Sequence, residues 1–311
     1  MAVYDIDGNR IAQDTFINVI DYGAKGNGTT DDAAAIQAAL DAAKTAGGVI
    51  YFPAGVYALQ SHVLFYSNQT LWFEDGAVLK QANATLNNLL MSYCESTWTG
   101  YNGTHDCLIY GATFDGGTYT ENNTLVGIIH AKNIIFERCT FRNAYGTWHN
   151  LEINASFNVK VLNCDHEGSR KTGNGGEMIQ IDAALNNTVW PWAGANYDST
   201  ICKYIEIAGN YFHNDTVSPA IGNHSTADHQ FINIHDNIFD GNTGTKGAIS
   251  FNGGGSNIDI HDNTFNGCTT GIGTYGSTYY IRNNRFVGVT TAAAGSASIV
   301  HANMVNGSYV A

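Results

Sequence analysis

Residues 205–212 read IEIAGNYF, 232–239 read INIHDNIF, 258–265 read IDIHDNTF and 279–286 read YYIRNNRF. The shared pattern is apolar, any, apolar, any, any, Asn, any, Phe. It continues upstream in CLIYGATF (107–114), IIFERCTF (134–141) and VKVLNCDH (159–166), with Cys at the Asn position of the last two and His at the final position of VKVLNCDH. The last residues of the seven copies are separated by 27, 25, 46, 27, 26 and 21 positions, and the step of 46 reads as one repeat carrying an insertion. A period in the mid-twenties with short alternating strands and Gly/Asn turns is the mark of a β-solenoid, in which no turn can bury its apolar face without its neighbours. Rungs lie about 4.8 Å apart, so each column along the axis holds like residues. One column is Cys139, Cys164, Asn210, Asn237, Asn263, Asn284; another is Phe114, Phe141, His166, Phe212, Phe239, Phe265, Phe286. An Asn column fits a tight bend, because Asn tolerates the left-handed backbone and its amide bonds from rung to rung. His166 is expected to be buried and hydrogen-bonded within the aromatic stack. A leucine-rich repeat would show Leu columns, and none is present.

A second alternating strand follows in each turn: LEIN (151–154), IQID (179–182), AIGNH (220–224), AISFN (248–252), GIGTY (271–275) and SIVH (298–301). Residues 18–57 differ. There Asp31 or Asp32 begins an Ala-rich helix ending at Gly47-Gly48, suited to covering the open end of the first turn.

Composition narrows the function classes. Of 311 residues 13% are charged, against about 25% in an average globular protein, and Gly numbers 35 while Pro numbers 3, which excludes helical bundles and coiled coils. The formal net charge is −13 with 14 Lys+Arg and no basic run, so no nucleic-acid partner is expected. No apolar run approaches 18 residues, so no membrane insertion is expected, and the polar start shows no secretory signal. Six Cys without CxxC spacing predict neither a zinc site nor a disulfide framework.

The stretch DYGAKGNGTTDDAAAIQAAL…GGVIYFPAGVY within 18–57, followed by the repeats of 105–303, resembles the entry segment and body of the pectin-lyase-like right-handed parallel β-helix superfamily. That resemblance implies an all-β, right-handed parallel β-helix of about ten turns over 49–303, with an insertion at 184–202. A cap over 18–48 would hold a helix at 31–46, with an N-terminal extension or hairpin at 1–17 and a tail at 304–311. It also implies a polysaccharide-active protein. The polygalacturonases of the group carry an Asn-Thr-Asp-Gly-x-Asp stretch. Here the matching stretch is GGEMIQID, with Glu177 at the first Asp and Gln180 at the second. The Asp-Asp pair of the next turn is replaced by SPAIGNH, and His224 stands in part for the missing Gly-His-Gly.

Strand register locates the chemistry. If the Ile and Leu of the second strand point inward, Glu152, Gln180, Gly222, Ser250 and Gly273 form one outward row, and Asn154, Asp182, His224, Asn252 and Tyr275 another. His149 and Glu177 lie just upstream. Glu152 and Asp182 come out roughly 8 Å apart at Cα, within the span of about 6.5–9.5 Å for inverting glycoside hydrolysis. The expected catalytic residues are Glu177 and Asp182, then Glu152, with His149 and His224 orienting or shuttling protons. Substrate contacts are expected from Gln180, Asn154, Asn252 and Tyr275, from Arg170 and Lys171 toward an acidic sugar, and from Trp190, Trp192 and Tyr197 of the insertion as stacking faces. An excursion over 86–104 with Tyr93, Trp98 and Tyr101 would form a further wall. The two HDN copies read as polar rungs with stacked His235 and His261, and no metal or cofactor is called for. The leading expectation is a glycoside hydrolase acting on a polysaccharide. A lyase or uronate epimerase with a His or Tyr base, and Ca²⁺ for the lyase, is the first alternative. A non-catalytic glycan-binding adhesin or tailspike module, homotrimeric in the tailspike case, is the second. All three readings place the chain outside the cell or at a cell or phage surface.

Overall fold

The structure is a computed structural model that describes residues 3–4, 10–11, 15–169, 176–185, 195–213, 218–251, 255–274, 278–295 and 299–310. Among them three parallel sheets of nine, eleven and twelve strands run the length of a right-handed parallel β-helix. The chain visits them in fixed order. Leu151–Asn154 lies in the nine-stranded sheet, Phe157–Leu162 in the eleven-stranded sheet and Asp165–Glu167 in the twelve-stranded sheet; Ile179–Asp182 then returns to pair with Leu151–Asn154.

Each repeat motif is therefore two strands rather than one. A single left-handed residue breaks it, with φ near 55° at Arg138, Asn163, Asp236, Asp262 and Asn283 and 69° at Gly209. The buried positions shift phase by one residue across that bend, from Ile205 and Ile207 to Asn210 and Phe212, so the extra residue in the motif marks the join between two strands. SIVH is a second correction. Ile299–His301 joins the eleven-stranded sheet against Tyr279–Arg282, and the last rung of the nine-stranded sheet is Thr291–Gly295, whose TAAAG lacks a large apolar residue. At the two ends, Phe16–Asn18 and Asn27–Asp31 already pair with the sheets, and Asn303–Val305 with Ser308–Val310 makes a hairpin where a tail was expected. Val3–Tyr4 and Arg10–Ile11 form a short antiparallel pair.

The helix spans Ala33–Ala42 and buries Ile36, Ala39 and Leu40 over the first turn. Asp31 accepts from the Ala33 N–H at 3.1 Å. Asp32 is buried and binds the Lys25 and Gly26 amides at 2.6 and 3.0 Å, bracing the chain ahead of the helix. No helix among the described residues is long and apolar enough to cross a membrane. All six cysteines are free.

The Asn column is a ladder. Asn210, Asn237, Asn263, Asn284 and Asn303 are each about 1% exposed. The side-chain oxygen of Asn237 accepts both the backbone N–H and the Nδ2 of Asn210, each at 2.9 Å, and the same pair of bonds repeats at Asn263, Asn284 and Asn303. The remaining Nδ2 hydrogen reaches a carbonyl on the preceding rung, as from Asn237 to Ile207 at 2.8 Å. Upstream the Cys164 N–H still donates to Asn210 Oδ1 at 2.8 Å, and beyond it the Cys139 N–H meets only the weaker acceptor Cys164 Sγ at 3.4 Å.

Beside the ladder runs the aromatic stack, with centroids 4.8 Å apart from Phe212 through Phe239 and Phe265 to Phe286. His166 lies flat between Phe141 and Phe212 at 4.7 and 4.8 Å. It is wholly buried, but neither ring nitrogen has a hydrogen-bond partner among the described residues, contrary to the expectation of a bonded histidine. The phenylalanines above and below offer faces and no acceptors, so the imidazole is kept neutral, pushed down to about 3 by burial. His149 and His229 are likewise held near 4 by burial. Between pH 6.5 and those values the unfolded chain binds protons that the folded chain refuses, so stability falls as pH drops through that window, by up to about 1.4 kcal/mol per unit for each histidine. His166→Phe should raise unfolding free energy by about 1–2 kcal/mol at pH 8, by removing an unsatisfied polar group, and by more at pH 5. Urea titrations at the two pH values measure this, and an equal gain at both would contradict it.

Candidate functional site

In the nine-stranded sheet Leu151, Ile179, Ile221, Ile249 and Ile272 pair in register and point inward, fully buried. Pleat alternation then turns Glu152, Gln180, Gly222, Ser250 and Gly273 outward on one line, and pairs Asn154 with Asp182 on the next. Gly222 leaves room for Glu177, whose Cγ lies 3.0 Å from where a Cβ on that glycine would stand. Arg170, Lys171, Trp190, Trp192, Asn252 and Tyr275 lie outside the described residues.

Glu152, Glu177, Asp182, His149 and His224 converge. His224 Nε2 donates to Glu177 Oε2 at 2.9 Å, and His149 Nδ1 donates to the Glu177 backbone carbonyl at 3.0 Å, 3.6 Å from Glu177 Oε2. Gln180 Nε2 donates to Asp182 Oδ2 and to His224 Nδ1, both at 3.0 Å. Asp182 also accepts the His224 N–H at 3.2 Å and the Ala183 N–H at 3.0 Å. Its oxygens are occupied in positioning the loop that carries His224. Asn154 Nδ2 donates to Glu152 Oε1 at 2.9 Å.

The outward row is not an open groove. Glu152, Glu177, Asp182 and His149 are all 7% exposed or less, and only the His224 side chain, 48% exposed, meets solvent. The cover comes from two excursions. The neck of the insertion closes by Ser199 N–H to the Ala184 carbonyl at 2.7 Å and Ala184 N–H to the Thr200 carbonyl at 3.0 Å. Its returning limb lies down on the sheet, with Tyr197 against the cluster of Met91, Ile129, Ala155 and Ala184. That limb is knit to the excursion near 94–104: Gly100 N–H donates to Asp198 at 2.8 Å, Tyr101 to the Ile201 carbonyl at 2.9 Å, and the buried His130 ring bridges the Gly100 and Asn196 carbonyls at 2.8 and 2.7 Å. His130 was not singled out in the sequence, since its two partners lie in segments without periodicity.

Burial sets the charges. Glu152 is raised to about 8, first by desolvation and then by repulsion from Asp182, against the bond from Asn154. Burial also pushes Glu177 up, but the His224 hydrogen bond and the neighbouring imidazoles outweigh it and hold the carboxyl below its ordinary value. The bond to Glu177 raises His224. Two carboxyls of one cluster are thus displaced in opposite directions, the usual signature of an acid and base pair. His149, Glu177 and His224 could each offer one ligand atom, all within 4.8 Å of one another, in the His₂-carboxylate set that suits Zn²⁺. Hydrogen bonds already occupy His149 Nδ1 and His224 Nε2, so the trio as it stands is a hydrogen-bonded array.

The model of the rhamnogalacturonase A/epimerase, pectate lyase-like family matches residues 16–295. The chain belongs to that family. It is 29% identical over 263 residues to plasmin and fibronectin-binding protein A of Streptococcus pneumoniae, covering 73% of this chain and 36% of that one, so it spans about a third of that relative's length. The crystal structure of PfbA, a surface adhesin of the same organism, superposes with a TM-score of 0.76 at 23% identity, over 93% of this chain and 78% of that one. The family 28 exopolygalacturonase of Yersinia enterocolitica gives 0.67 at 14% identity, over 98% and 69%. Both structural likenesses concern the β-helix itself.

Glu152 provides a direct test of the buried site. Its folded value stands above the ordinary 4.5, so between about 4.5 and 8 the folded chain keeps a proton that the unfolded chain has lost, and stability declines as pH rises through that window. Glu152→Gln should abolish this decline. Its stability advantage over the parent should grow by up to about 1.4 kcal/mol per unit from pH 5 to 8. A gap independent of pH would show an ordinary, solvated carboxylate.

Proposed function

We propose that this family member cleaves a polysaccharide by acid–base chemistry, with glycoside hydrolysis the leading reaction. The observation that carries the reading is the opposed displacement of Glu152 and Glu177 within one cluster on adjacent rungs. Glu152, protonated near neutral pH, supplies the proton to the leaving oxygen. His224, held by Glu177, takes the proton from the attacking water. Asp182, foreseen as a principal acid or base, instead fixes Gln180 and the His224 loop. Gln180 Oε1 is buried without a partner among the described residues, so turning the amide over lets it accept Nδ1–H once His224 is protonated. Glu152 lies beneath the limb carrying Tyr197, so the glycan reaches it only when that limb is displaced.

The exposure of His224 favours a second reading, in which His224 removes the proton beside a uronate carboxylate and the glycan is cleaved by elimination or epimerised. The similarity to a streptococcal surface adhesin favours a third, glycan binding without turnover. An extracellular or surface setting belongs to all three, since the polymers are found there.

A polysaccharide panel scored for both reducing ends and unsaturated-uronate absorbance separates them. Hydrolysis gives only the first signal and elimination gives both; binding with neither signal supports the adhesin where NMR shows the uronate composition of the recovered polymer unchanged, since epimerisation alters it. Glu177→Gln and His224→Gln should each lower turnover at least about 100-fold with little change in stability. The rate should rise with pH as His224 loses its proton and fall as Glu152, near 8, loses its own. Full activity in both variants would place the chemistry elsewhere.

A further inference from the structure

At the entry of the eleven-stranded sheet one residue per turn is left-handed: Asn68, Asp106, Asn133, Asn158, Tyr204, Phe231 and Asn257, with φ between 52° and 62°. Register places them in a single column. Five of these positions hold Asn or Asp, the residues that adopt this conformation most readily, whereas a bulky side chain there is an outlier. Tyr204 and Phe231 take the strained backbone on adjacent rungs and are also 48% and 42% exposed. Such strain persists where the surrounding structure over-determines it, and it gathers at sites that hold ligands.

The two rings are parallel, with centroids 4.8 Å apart and planes within 7°. They extend a row through Phe157 at 5.1 Å from Tyr204 and Tyr101 at 5.2 Å from Phe157. Phe157 pairs in register with Lys132 on one side and Lys203 on the other. These lysines therefore flank the row two rungs apart, about 9.6 Å. Neither forms an ion pair among the described residues, where Lys160, Arg142 and Arg282 are the paired cations. Nearby acids are engaged: Glu206 with Lys160, and Asp106 with His105 and Asn133, while Lys132 attracts Asp106 only at a distance beyond an ion pair. In a chain of net charge −13, two unpaired lysines beside an exposed aromatic row form a local exception. Aromatic faces take the C–H faces of sugars, and ammonium groups at rung spacing take carboxylates that recur along a polymer.

We infer that Tyr101, Phe157, Tyr204 and Phe231, with Lys132 and Lys203, form a secondary binding surface for a carboxylated polysaccharide. It lies around the corner from the buried cluster, three residues beyond Asn154, and is separate from the chemistry proposed there. It holds the polymer against the solenoid whether or not the cluster turns it over.

Affinity electrophoresis in gels containing sodium polygalacturonate, or neutral dextran as control, tests this on the full chain. The parent should be retarded by polygalacturonate and not by dextran, with retardation weakening as salt rises. Lys132→Gln/Lys203→Gln and Tyr204→Asn/Phe231→Asn should each weaken binding at least tenfold, and the Asn pair should keep or raise the parent Tm, because Asn suits the backbone. Glu177→Gln should bind as the parent does, which separates this surface from the cluster. Absence of retardation of the parent, equal retardation by dextran, or full binding by the lysine pair variant overturns the inference. A fall in Tm with unchanged binding in the Asn pair assigns the rings to the fold.

Discussion

The buried amide of one asparagine per turn fixes the register on which the rest of the molecule depends. From Asn237 to Asn303 each side-chain oxygen receives two hydrogen bonds from the preceding rung, in a place where water cannot substitute. A slip of one residue would strand those donors and turn every inward isoleucine of the neighbouring sheet to the outside. The aromatic column, the paired isoleucines and the outward polar rows are all held in line by the same constraint. Glu152, Gln180 and Gly222 therefore share a line although their turns carry unequal loops.

Rigid register alone would leave those groups solvated and ordinary. Their unusual character comes from the two excursions that fold over the sheet. Dry surroundings keep Glu152 protonated, while the pairing of Glu177 with His224 keeps the second carboxyl charged. Gly222 matters here by what it lacks, since any side chain would occupy the space of Glu177. The cluster depends on both parts: strands that set spacing and loops that exclude water.

What was legible in the sequence follows the same division. The Asn and Phe columns could be read because each rung repeats the same demand. The outward rows could be counted because alternation has period two. The bend inside each motif was hidden, since Arg138, Asn163 and Asp236 take a left-handed backbone that no single residue type announces. Thr291–Gly295 was hidden because its TAAAG carries no large apolar residue to mark an inward face. The burial of Glu152, and its cause in desolvation more than in repulsion from Asp182, could not be read, because Tyr197, His130 and Asp198 act from segments with no period. The positioning role proposed for Asp182 rests on bonds to Gln180, the Ala183 N–H and the His224 N–H, of which only the last comes from a neighbouring turn.

The ladder has a direction, and this bears on how such a chain can end. Each rung is completed by the oxygen of the rung that follows it, so a chain cut between turns presents two buried donors with nothing to receive them. A growing or evolving solenoid of this kind is unfinished at every intermediate length. Asn303 provides the acceptor, and the antiparallel turn from Asn303–Val305 to Ser308–Val310 closes the edge of that sheet. Within the Asn ladder, length is therefore quantised: a turn can be gained or lost only whole, bringing or taking its own acceptor with it.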